Sequence, residues 1–337
     1  MMDTCQKSTD PLLSVEELSV AYNVKGASLP AIRKASFELR AGEAVALVGE
    51  SGSGKTTTAM AIAGLLSSNA RVSGGQVCYR GTRLPIDDDA AMRPHRWRET
   101  SVIFQGAMNA LNPVHRIVKQ IAEPCILNLG MSREEATARA RELLELVGIP
   151  ADRGSAYPHE LSGGMRQRVM IAMALACRPS IIIGDEPTTA LDVINQAQIL
   201  KLLVELRSTF NLALILITHD LSVVAETCDR VMIMYAGCIV EDGPVADIFA
   251  APKHPYTRLL IESIPDPAKG KRMLCPIPGD PPTLMRRPSG CAFHTRCPSA
   301  MPICTTQVPE LEERGQGRVA CHLHSSLTHA DKVLASD

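Results

Sequence analysis

Aromatic residues are scarce in this sequence. Among 337 residues there are one Trp, five Tyr and five Phe, and the formal net charge is only −1. Proteins that hold single-stranded nucleic acid stack its bases on aromatic side chains, and a strongly basic surface attracts the phosphate backbone. Because the chain has few aromatic residues and no strong positive charge, we predict that the protein has no nucleic-acid partner.

Long apolar segments are also missing. No apolar run reaches the roughly 18 consecutive residues that a membrane-spanning helix needs, and the run at residues 212–217 has only the length of a strand. The N-terminal segment MMDTCQKSTDPLL contains no apolar signal region. We therefore expect a soluble, cytosolic protein that reaches a membrane only where a partner holds it there.

The chain contains eleven cysteines, but disulfides are not expected because cytosolic thiols stay reduced. Free cysteine behaves as a small apolar residue. We expect such packing roles for the cysteines that are scattered singly: Cys5, Cys78, Cys125, Cys177, Cys228, Cys238 and Cys275. The remaining four lie together between residues 290 and 321.

Short apolar segments alternate with segments of helical periodicity, which is the pattern of an α/β protein. We predict strands over 14–24, 36–48, 72–80, 101–105, 180–187 and 212–220, and a hairpin over 229–244 around Ala236-Gly237. We predict helices over 55–66, within 115–147, and over 163–179 and 193–210. From about residue 252 prolines and glycines become frequent, which indicates a small second unit with little core of its own.

The segment GESGSGKT lies between a predicted strand and a predicted helix. It matches the pattern GxxxxGK[ST], in which glycines let backbone N–H groups surround phosphate and the helix adds its positive end. Lys55 can reach the β- and γ-phosphates, and the Thr56 hydroxyl can bind Mg²⁺. The predicted ATP-binding residues here are Gly49, Glu50, Ser51, Gly52, Ser53, Gly54, Lys55, Thr56 and Thr57.

Two adjacent acids follow the apolar run of the strand predicted over 180–187. Asp185, at the end of that strand, can hold Mg²⁺ directly or through water. Glu186 can orient or deprotonate the attacking water. Together with the phosphate loop, this pair predicts a nucleotide-hydrolysing site.

Further motifs occur in a specific order: LSGGMRQR before a helix, then TTALD and ITHD after the acidic strand. In this order the sequence resembles the nucleotide-binding subunit of ABC transporters. The signature motif matches through Gly164, and Met165 replaces its usual Gln. The resemblance implies ATP-binding roles for Tyr22, Ser162, Gly163, Gly164 and Asp192, catalytic roles for Gln105 and His219, and Mg²⁺ contact for Gln105.

The resemblance also implies a fold and an assembly. The fold is a P-loop NTPase cassette over residues 12–252, with a RecA-like core, an antiparallel β subdomain and a helical signature subdomain over about 106–160. A C-terminal unit over 253–330 follows it. Two cassettes form a head-to-tail dimer, in which the phosphate loop of one faces the signature motif of the other and ATP lies between them.

The segment HPYTRLLIESIP (254–265) resembles the C-terminal extension of dipeptide and oligopeptide importer ATPases. It implies that this chain and a second, different ATPase subunit lie beneath two transmembrane permease subunits at the cytoplasmic face of the membrane. A solute-binding protein delivers the solute to the permease subunits. Nickel and some oligosaccharide or opine importers share this cassette type, and a soluble non-transport ABC ATPase is the alternative. In these importer ATPases an Asp-Pro pair is common at the position of Gly106-Ala107 in this sequence. This departure leaves open which substrate the importer carries.

The four clustered cysteines follow the spacing C-x₅-C-x₆-C-x₁₆-C, and they are Cys291, Cys297, Cys304 and Cys321. Four thiolates can hold either Zn²⁺ or a [4Fe–4S] cluster, and the spacing does not decide between them. The resemblance favours the cluster, with Zn²⁺ as the alternative. Either would staple an irregular extension that has little apolar content, and a redox-sensing role stays open.

Overall fold

The computed structural model of the protein describes residues 10–106, 110–189, 191–263 and 277–325, so Cys5 and Cys275 lie outside it. Its strands are β1 (Leu13–Val24), β2 (Ala27–Leu39), β3 (Ala44–Val48), β4 (Ala70–Tyr79), β5 (Thr82–Arg83), β6 (Thr100–Ile103), β7 (Ile181–Asp185), β8 (Ala213–Thr218), β9 (Arg230–Tyr235), β10 (Cys238–Pro244), β11 (Glu312–Arg314) and β12 (Gly317–Val319). A smaller sheet has the order β2-β1-β4-β5, and a larger one has the order β11-β12-β10-β9-β3-β8-β7-β6.

The helices are α1 (Lys55–Ile62), α2 (Asp89–Met92), α3 (Ile117–Leu129), α4 (Arg133–Leu146), α5 (Gly163–Ala174), α6 (Val193–Phe210), α7 (Leu221–Thr227), α8 (Val245–Ala250) and α9 (Pro255–Glu262). Short 3₁₀ turns occupy Ala151–Ser155, Pro158–Glu160, Pro302–Thr305 and His322–His324. Within the described ranges, no helix combines the length and apolarity that a bilayer crossing requires.

The centre of the larger sheet is parallel and covered on both faces. β8 pairs in parallel with β3 and β7, and β3 also pairs in parallel with β9. All residues of β3 (AVALV) and β8 (ALILIT) are buried, as expected for strands that have no solvent-facing side. One face packs against α3, α4, α5 and α6, and the other packs against α1, β1 and β2. The predicted α/β class is confirmed.

The single strand predicted over 36–48 is wrong. β2 ends at Leu39 in the smaller sheet, and β3 begins at Ala44 in the larger sheet. Gly42, with a φ of 70°, lies in the turn that separates them. The chain thus passes from one sheet to the other within a segment that looks uniformly extended in sequence.

The helical segment within 115–147 is divided into α3 and α4. Gly130, with a φ of 68°, ends α3 in a left-handed conformation. Ser132 then begins α4 through a capping box, in which its hydroxyl accepts from the Glu135 N–H and its own N–H donates to the Glu135 carboxylate. The division allows α3 and α4 to pack against each other around one apolar core.

The hairpin predicted around Ala236-Gly237 is confirmed. β9 and β10 are antiparallel, with Tyr235 paired to Cys238. Both central turn residues have positive φ, 46° at Ala236 and 81° at Gly237, as a two-residue hairpin turn requires. A side chain at Gly237 would place its Cβ 2.1 Å from the Ala31 carbonyl oxygen, so the turn also demands glycine there.

The C-terminal unit continues the fold of the cassette. β12 pairs antiparallel with β10, so residues 312–319 extend the larger sheet. Phe293, which is 1% exposed, packs against the rings of Tyr235 and Tyr256. The region therefore shares the apolar core of the cassette, which explains how a proline-rich segment with few apolar residues is held in place.

Candidate functional site

The segment from Gly49 to Thr56 forms the loop between β3 and α1 and the first turn of that helix. Glycine is required where the loop presses against its neighbours. A Cβ on Gly49 would lie 2.2 Å from the Met234 carbonyl oxygen, and one on Gly54 would lie 2.5 Å from the Ile32 side chain. The first N–H groups of α1 have no partner within the helix, so the loop provides donors at the carboxyl end of a parallel strand, where ligands bind in open α/β sheets.

The Lys55 ammonium lies inside this loop. Its Nζ donates to the carbonyl oxygens of Gly49 at 2.8 Å and of Glu50 at 2.9 Å. Burial lowers the pKa of Lys55, while the charges of Glu186 and Asp185 oppose that effect. The ammonium is thus within electrostatic reach of both the loop and the acidic pair.

Asp185 and Thr56 meet beside the loop. Asp185 ends β7, is 4% exposed, and accepts a hydrogen bond from the Thr56 hydroxyl at 3.1 Å. Burial raises the pKa of Asp185, and repulsion from Glu186 adds to this, whereas the Thr56 bond and the Lys55 charge oppose it. Two side-chain oxygens of the kind that Mg²⁺ prefers therefore lie next to each other.

The Glu186 carboxylate is surrounded by three side chains from different parts of the chain. Its Oε2 accepts from Gln105 Nε2 and from the Thr189 hydroxyl, each at 2.9 Å, and its Oε1 lies 3.2 Å from His219 Nδ1. Glu186 has a φ of 46°, a conformation that costs a non-glycine residue about 1–3 kcal/mol and is common at functional sites. The structure thus brings together the three predicted catalytic residues Gln105, Glu186 and His219.

Tyr22 and the signature segment occupy two other positions. The Tyr22 hydroxyl lies 3.1 Å from the hydroxyl of Thr57 in the first turn of α1. Ser162 caps α5 by accepting from the Met165 N–H at 3.3 Å, and the signature glycines Gly163 and Gly164 are the first residues of that helix. Over the described residues, no hydrogen bond links Ser162, Gly163 or Gly164 to the phosphate loop.

Asp192 caps α6 in the same manner as Ser162 caps α5. Its carboxylate accepts from the Asn195 N–H at 3.0 Å and from Asn195 Nδ2 at 2.6 Å, and these bonds lower its pKa. A Cβ on Gly164 would lie 2.6 Å from Asn195 Oδ1. Asn195 therefore connects the signature helix to Asp192, and two helix N-termini with positive partial charge lie side by side.

Comparison with known proteins identifies the family. The family "ABC transporter" matches residues 32–189, and the family "Oligopeptide/dipeptide transporter, C-terminal region" matches residues 240–304. The oligopeptide transport ATP-binding protein OppD of Escherichia coli K12 is 48% identical over 320 residues, which are 94% of each chain. The dipeptide transport ATP-binding protein DppD of Haemophilus influenzae is 46% identical over 313 residues, covering 92% of this chain and 95% of that protein.

The chain belongs to the family of oligopeptide and dipeptide ABC transporter ATP-binding subunits. The cassette fold also matches a solved structure, the ATP-binding cassette MJ0796 as a post-hydrolysis dimer bound to ADP and Pi. That match has a TM-score of 0.62 at 28% identity and covers 69% of this chain and 98% of that chain. The ABC membership expected from the motif order is confirmed.

In this ABC transporter ATPase, two of the four clustered cysteines are joined by a backbone hydrogen bond. The Cys291 N–H donates to the Cys304 carbonyl oxygen at 2.9 Å. Burial raises the pKa of Cys321 to about 12, and repulsion from Cys291, Cys297 and Cys304, when these are ionised to thiolates, adds to that effect.

The metal staple predicted for the C-terminal unit is not supported. Over residues 10–106, 110–189, 191–263 and 277–325, no group of three or more His, Cys, Asp or Glu side chains could hold a metal ion. The nearby histidines contact backbone instead: His294 Nδ1 lies 2.8 Å from the Cys291 carbonyl oxygen, and His324 Nε2 lies 3.0 Å from that of Lys253. Packing of Phe293 and pairing of β12 with β10 hold the unit onto the cassette.

Sequence reasoning missed two side chains that contact the site. Thr189, whose hydroxyl donates to Glu186, lies in the motif TTALD. Its position three residues after Glu186 is the only sequence signal that could have identified it. Arg296 pairs with Glu50 of the phosphate loop from 246 residues away. No local pattern marks such a long-range contact.

Proposed function

We propose that this protein is the ATP-hydrolysing motor subunit of a membrane importer for dipeptides or oligopeptides. The observation that carries the proposal is the arrangement around Glu186, held by Gln105, Thr189 and His219 beside the phosphate loop. The names of the relatives support the substrate class, because they are oligopeptide and dipeptide transport proteins.

The proposed nucleotide site assigns each group a role. The loop N–H groups and Lys55 bind the phosphates, and Tyr22 stacks on the adenine. Thr56, Asp185 and Gln105 hold Mg²⁺, which neutralises phosphate charge when it is bound. The buried carboxylate of Asp185 fits this ion, because it lies beside the Thr56 hydroxyl and both groups supply the oxygen ligands that Mg²⁺ prefers.

Glu186 is proposed to orient the attacking water and to accept its proton, and His219 keeps the carboxylate in place. Oε1 and Oε2 are both already engaged by neighbouring side chains, so the carboxylate has a defined direction. A fixed base needs little rearrangement before proton transfer, which favours catalysis over mere binding.

We propose a head-to-tail dimer with a second, different ABC ATPase subunit. Ser162, Gly163, Gly164 and Asp192 would then face the ATP bound by the partner cassette. Val193 and Ile194, directly after Asp192, are 82% and 72% exposed, and exposed apolar side chains at such a position suit a protein interface. The dimeric state of MJ0796 supports the pairing of two cassettes.

Two transmembrane permease subunits are the proposed membrane partners, and a solute-binding protein acts through them. The chain would then lie peripherally at the cytoplasmic face of the membrane. The helical subdomain proposed over 106–160 carries Val114 and Leu127, which are 73% and 74% exposed. These side chains offer apolar surface to which a permease can dock.

Reconstitution tests the function. The chain is produced together with candidate permeases and the second ATPase, and the complex is placed in lipid vesicles with a solute-binding protein. Peptide is expected to stimulate ATP hydrolysis and to accumulate in the compartment opposite the ATPases. Stimulation by nickel instead of peptide would refute the substrate class, and hydrolysis that needs no membrane partner or solute would favour a soluble, non-transport ATPase.

We also propose that the chain divides into a cassette, residues 12–252, and a C-terminal unit, residues 253–330. In the C-terminal unit, we propose that a [4Fe–4S] cluster is bound by four cysteines: Cys291, Cys297, Cys304 and Cys321. The hydrogen bond from the Cys291 N–H to the Cys304 carbonyl oxygen, which places two of these cysteines side by side, supports this. In such a cluster each thiolate binds a different iron, so its ligands need not converge on one ion as they do for Zn²⁺.

Anaerobic purification tests the cluster. We expect an absorbance band at the blue end of the visible spectrum, together with bound iron and sulfide in equal amounts. Cys304→Ser is expected to remove the band, whereas Cys228→Ser, a half-buried cysteine outside the group, is expected to retain it. Bound zinc without iron, or four thiols that react freely in the native protein, would contradict the proposal.

A further inference from the structure

Glu50, the second residue of the phosphate loop, forms a two-pronged ion pair with Arg296 of the C-terminal unit. Arg296 Nη1 lies 2.6 Å from Glu50 Oε2, and Arg296 Nη2 lies 3.0 Å from Glu50 Oε1. The Arg296 side chain is only 4% exposed and that of Glu50 is 24% exposed. A bidentate, largely buried pair of this kind fixes direction as well as distance.

All five N–H donors of Arg296 have partners. Besides the two bonds to Glu50, Nε donates to the Pro278 carbonyl oxygen at 2.8 Å, Nη2 to that of Ile277 at 3.4 Å, and Nη1 to the Tyr235 hydroxyl at 3.2 Å. A guanidinium has five donors in a rigid plane. The orientation of the guanidinium is therefore set by the C-terminal unit and β9, independently of its bonds to the phosphate loop.

The Glu50 backbone is anchored as well. Its N–H donates to the Tyr256 hydroxyl at 2.9 Å, and its carbonyl oxygen accepts from Lys55. Tyr256 is fully buried in α9, and its ring packs against Tyr235 and Phe293 with centroid distances of 4.7 and 5.3 Å. The hydroxyl that holds the loop is thus part of a rigid aromatic group.

The start of α9 fixes Tyr256 in turn. His254 Nδ1 accepts from the Tyr256 N–H at 3.0 Å, and the Glu241 carboxylate accepts from the N–H groups of Lys253 and His254 at 2.7 and 3.0 Å. Burial and the nearby His324 lower the pKa of His254 to about 3, so its ring is neutral and keeps the lone pair that the cap requires. The segment HPY therefore connects β10 to the phosphate loop.

We propose that the C-terminal unit positions the phosphate loop of its own cassette, with Arg296 acting through the Glu50 carboxylate and Tyr256 acting through the Glu50 N–H. Arg296 is thus a positioning residue for nucleotide binding. The inference rests on the nucleotide site proposed above. It assigns the C-terminal unit a role in ATP binding that is separate from any metal it holds.

Two physical effects support this role. Glycine-rich loops lose much conformational freedom when they close around phosphate, and a loop that is already anchored loses less. In addition, a carboxylate within the loop repels the negative phosphates unless a cation neutralises it, and Arg296 provides that charge. Loss of Arg296 therefore removes both the anchor of the loop and the charge that neutralises Glu50. When Glu50 is uncharged as well, no neutralising cation is needed.

The affinity for Mg²⁺·ATP tests the proposal in the full-length protein. We expect Arg296→Gln to raise the Kd and the KM for ATP about tenfold, which corresponds to about 1.4 kcal/mol, with a smaller change in kcat. Adding Glu50→Gln to Arg296→Gln is expected to recover much of the lost affinity, because no unpaired carboxylate remains. Arg314→Gln is the matched control, since Arg314 pairs with Glu312 inside the C-terminal unit, and it is expected to bind ATP like the unmodified protein.

Tyr256→Phe provides a second test that removes only one hydroxyl from the buried ring. It is expected to weaken ATP binding about threefold and to increase hydrogen exchange in the phosphate loop, even if Arg296→Gln fails to fold. Unchanged affinity in Tyr256→Phe, or in a folded Arg296→Gln protein, would overturn the inference. If the unmodified protein itself fails to bind Mg²⁺·ATP, it is the proposed motor function that is wrong.

Discussion

Replacing Glu186 with Gln is expected to reduce the rate of ATP hydrolysis by about 100- to 10,000-fold, the range for loss of a positioned general base. The amide has nearly the same shape and can still accept from Gln105 and Thr189, but it cannot accept a proton from water. ATP binding is expected to persist, because the phosphate contacts come from the loop and Lys55. The measurements are phosphate release at saturating ATP and the Kd for Mg²⁺·ATP.

Glu313→Gln is the control for this substitution, because Glu313 lies in β11 of the C-terminal unit, away from the acidic pair. It is expected to hydrolyse ATP at the unmodified rate. Equal loss of binding and hydrolysis in Glu186→Gln would indicate that Glu186 holds the site together and is not its base. A rate close to that of the unmodified protein would assign the proton transfer to another group.

Replacing Lys55 with Ala is expected to weaken Mg²⁺·ATP binding by roughly 10- to 100-fold, as expected for loss of a charged hydrogen-bond donor. The ammonium is already in the loop, bonded to the carbonyl oxygens of Gly49 and Glu50. Without it, Asp185 and Glu186 face the phosphates with less positive charge between them. Titration with ATP followed by calorimetry measures the effect directly.

Lys201→Ala is the comparison for this second substitution, because Lys201 is an exposed lysine on α6 with a side chain 79% accessible. Its removal is expected to leave the Kd unchanged. An unchanged Kd in Lys55→Ala would contradict the phosphate-binding role of the loop. A lowered melting temperature with normal affinity would show that Lys55 only stabilises the loop.

Much of the nucleotide site could be predicted from sequence, because its parts are local. The phosphate loop follows the buried strand β3, the two acids lie at the end of the buried strand β7, and the carboxyl ends of parallel strands meet at one edge of the sheet. The contact between Thr56 and Asp185 follows from that arrangement. The catalytic roles of Gln105 and His219 follow from resemblance to a family and not from any periodicity, and their contacts with Glu186 are visible only in the structure.

Other features depend on contacts between distant segments, which a local pattern does not record. The chain leaves the smaller sheet at Leu39 and enters the larger one at Ala44, although both segments are extended and only a short turn separates them. Arg296 reaches Glu50 only because Tyr235, Tyr256 and Phe293 place the C-terminal unit beside the loop. The low apolar content of that unit suggested a metal staple, since composition cannot reveal that a segment shares the core of its neighbour.

The pairing of β12 with β10 affects the solubility of the whole protein. Without it β10 would be the last strand of the larger sheet, and its unpaired N–H and C=O groups could recruit a strand from another molecule. β12 covers this edge, Arg318 binds Asp242 across the pair, and the outermost strand, β11, is only three residues long and fully charged, with the sequence EER. The C-terminal unit thereby ends the sheet with a strand that is poorly suited to aggregation.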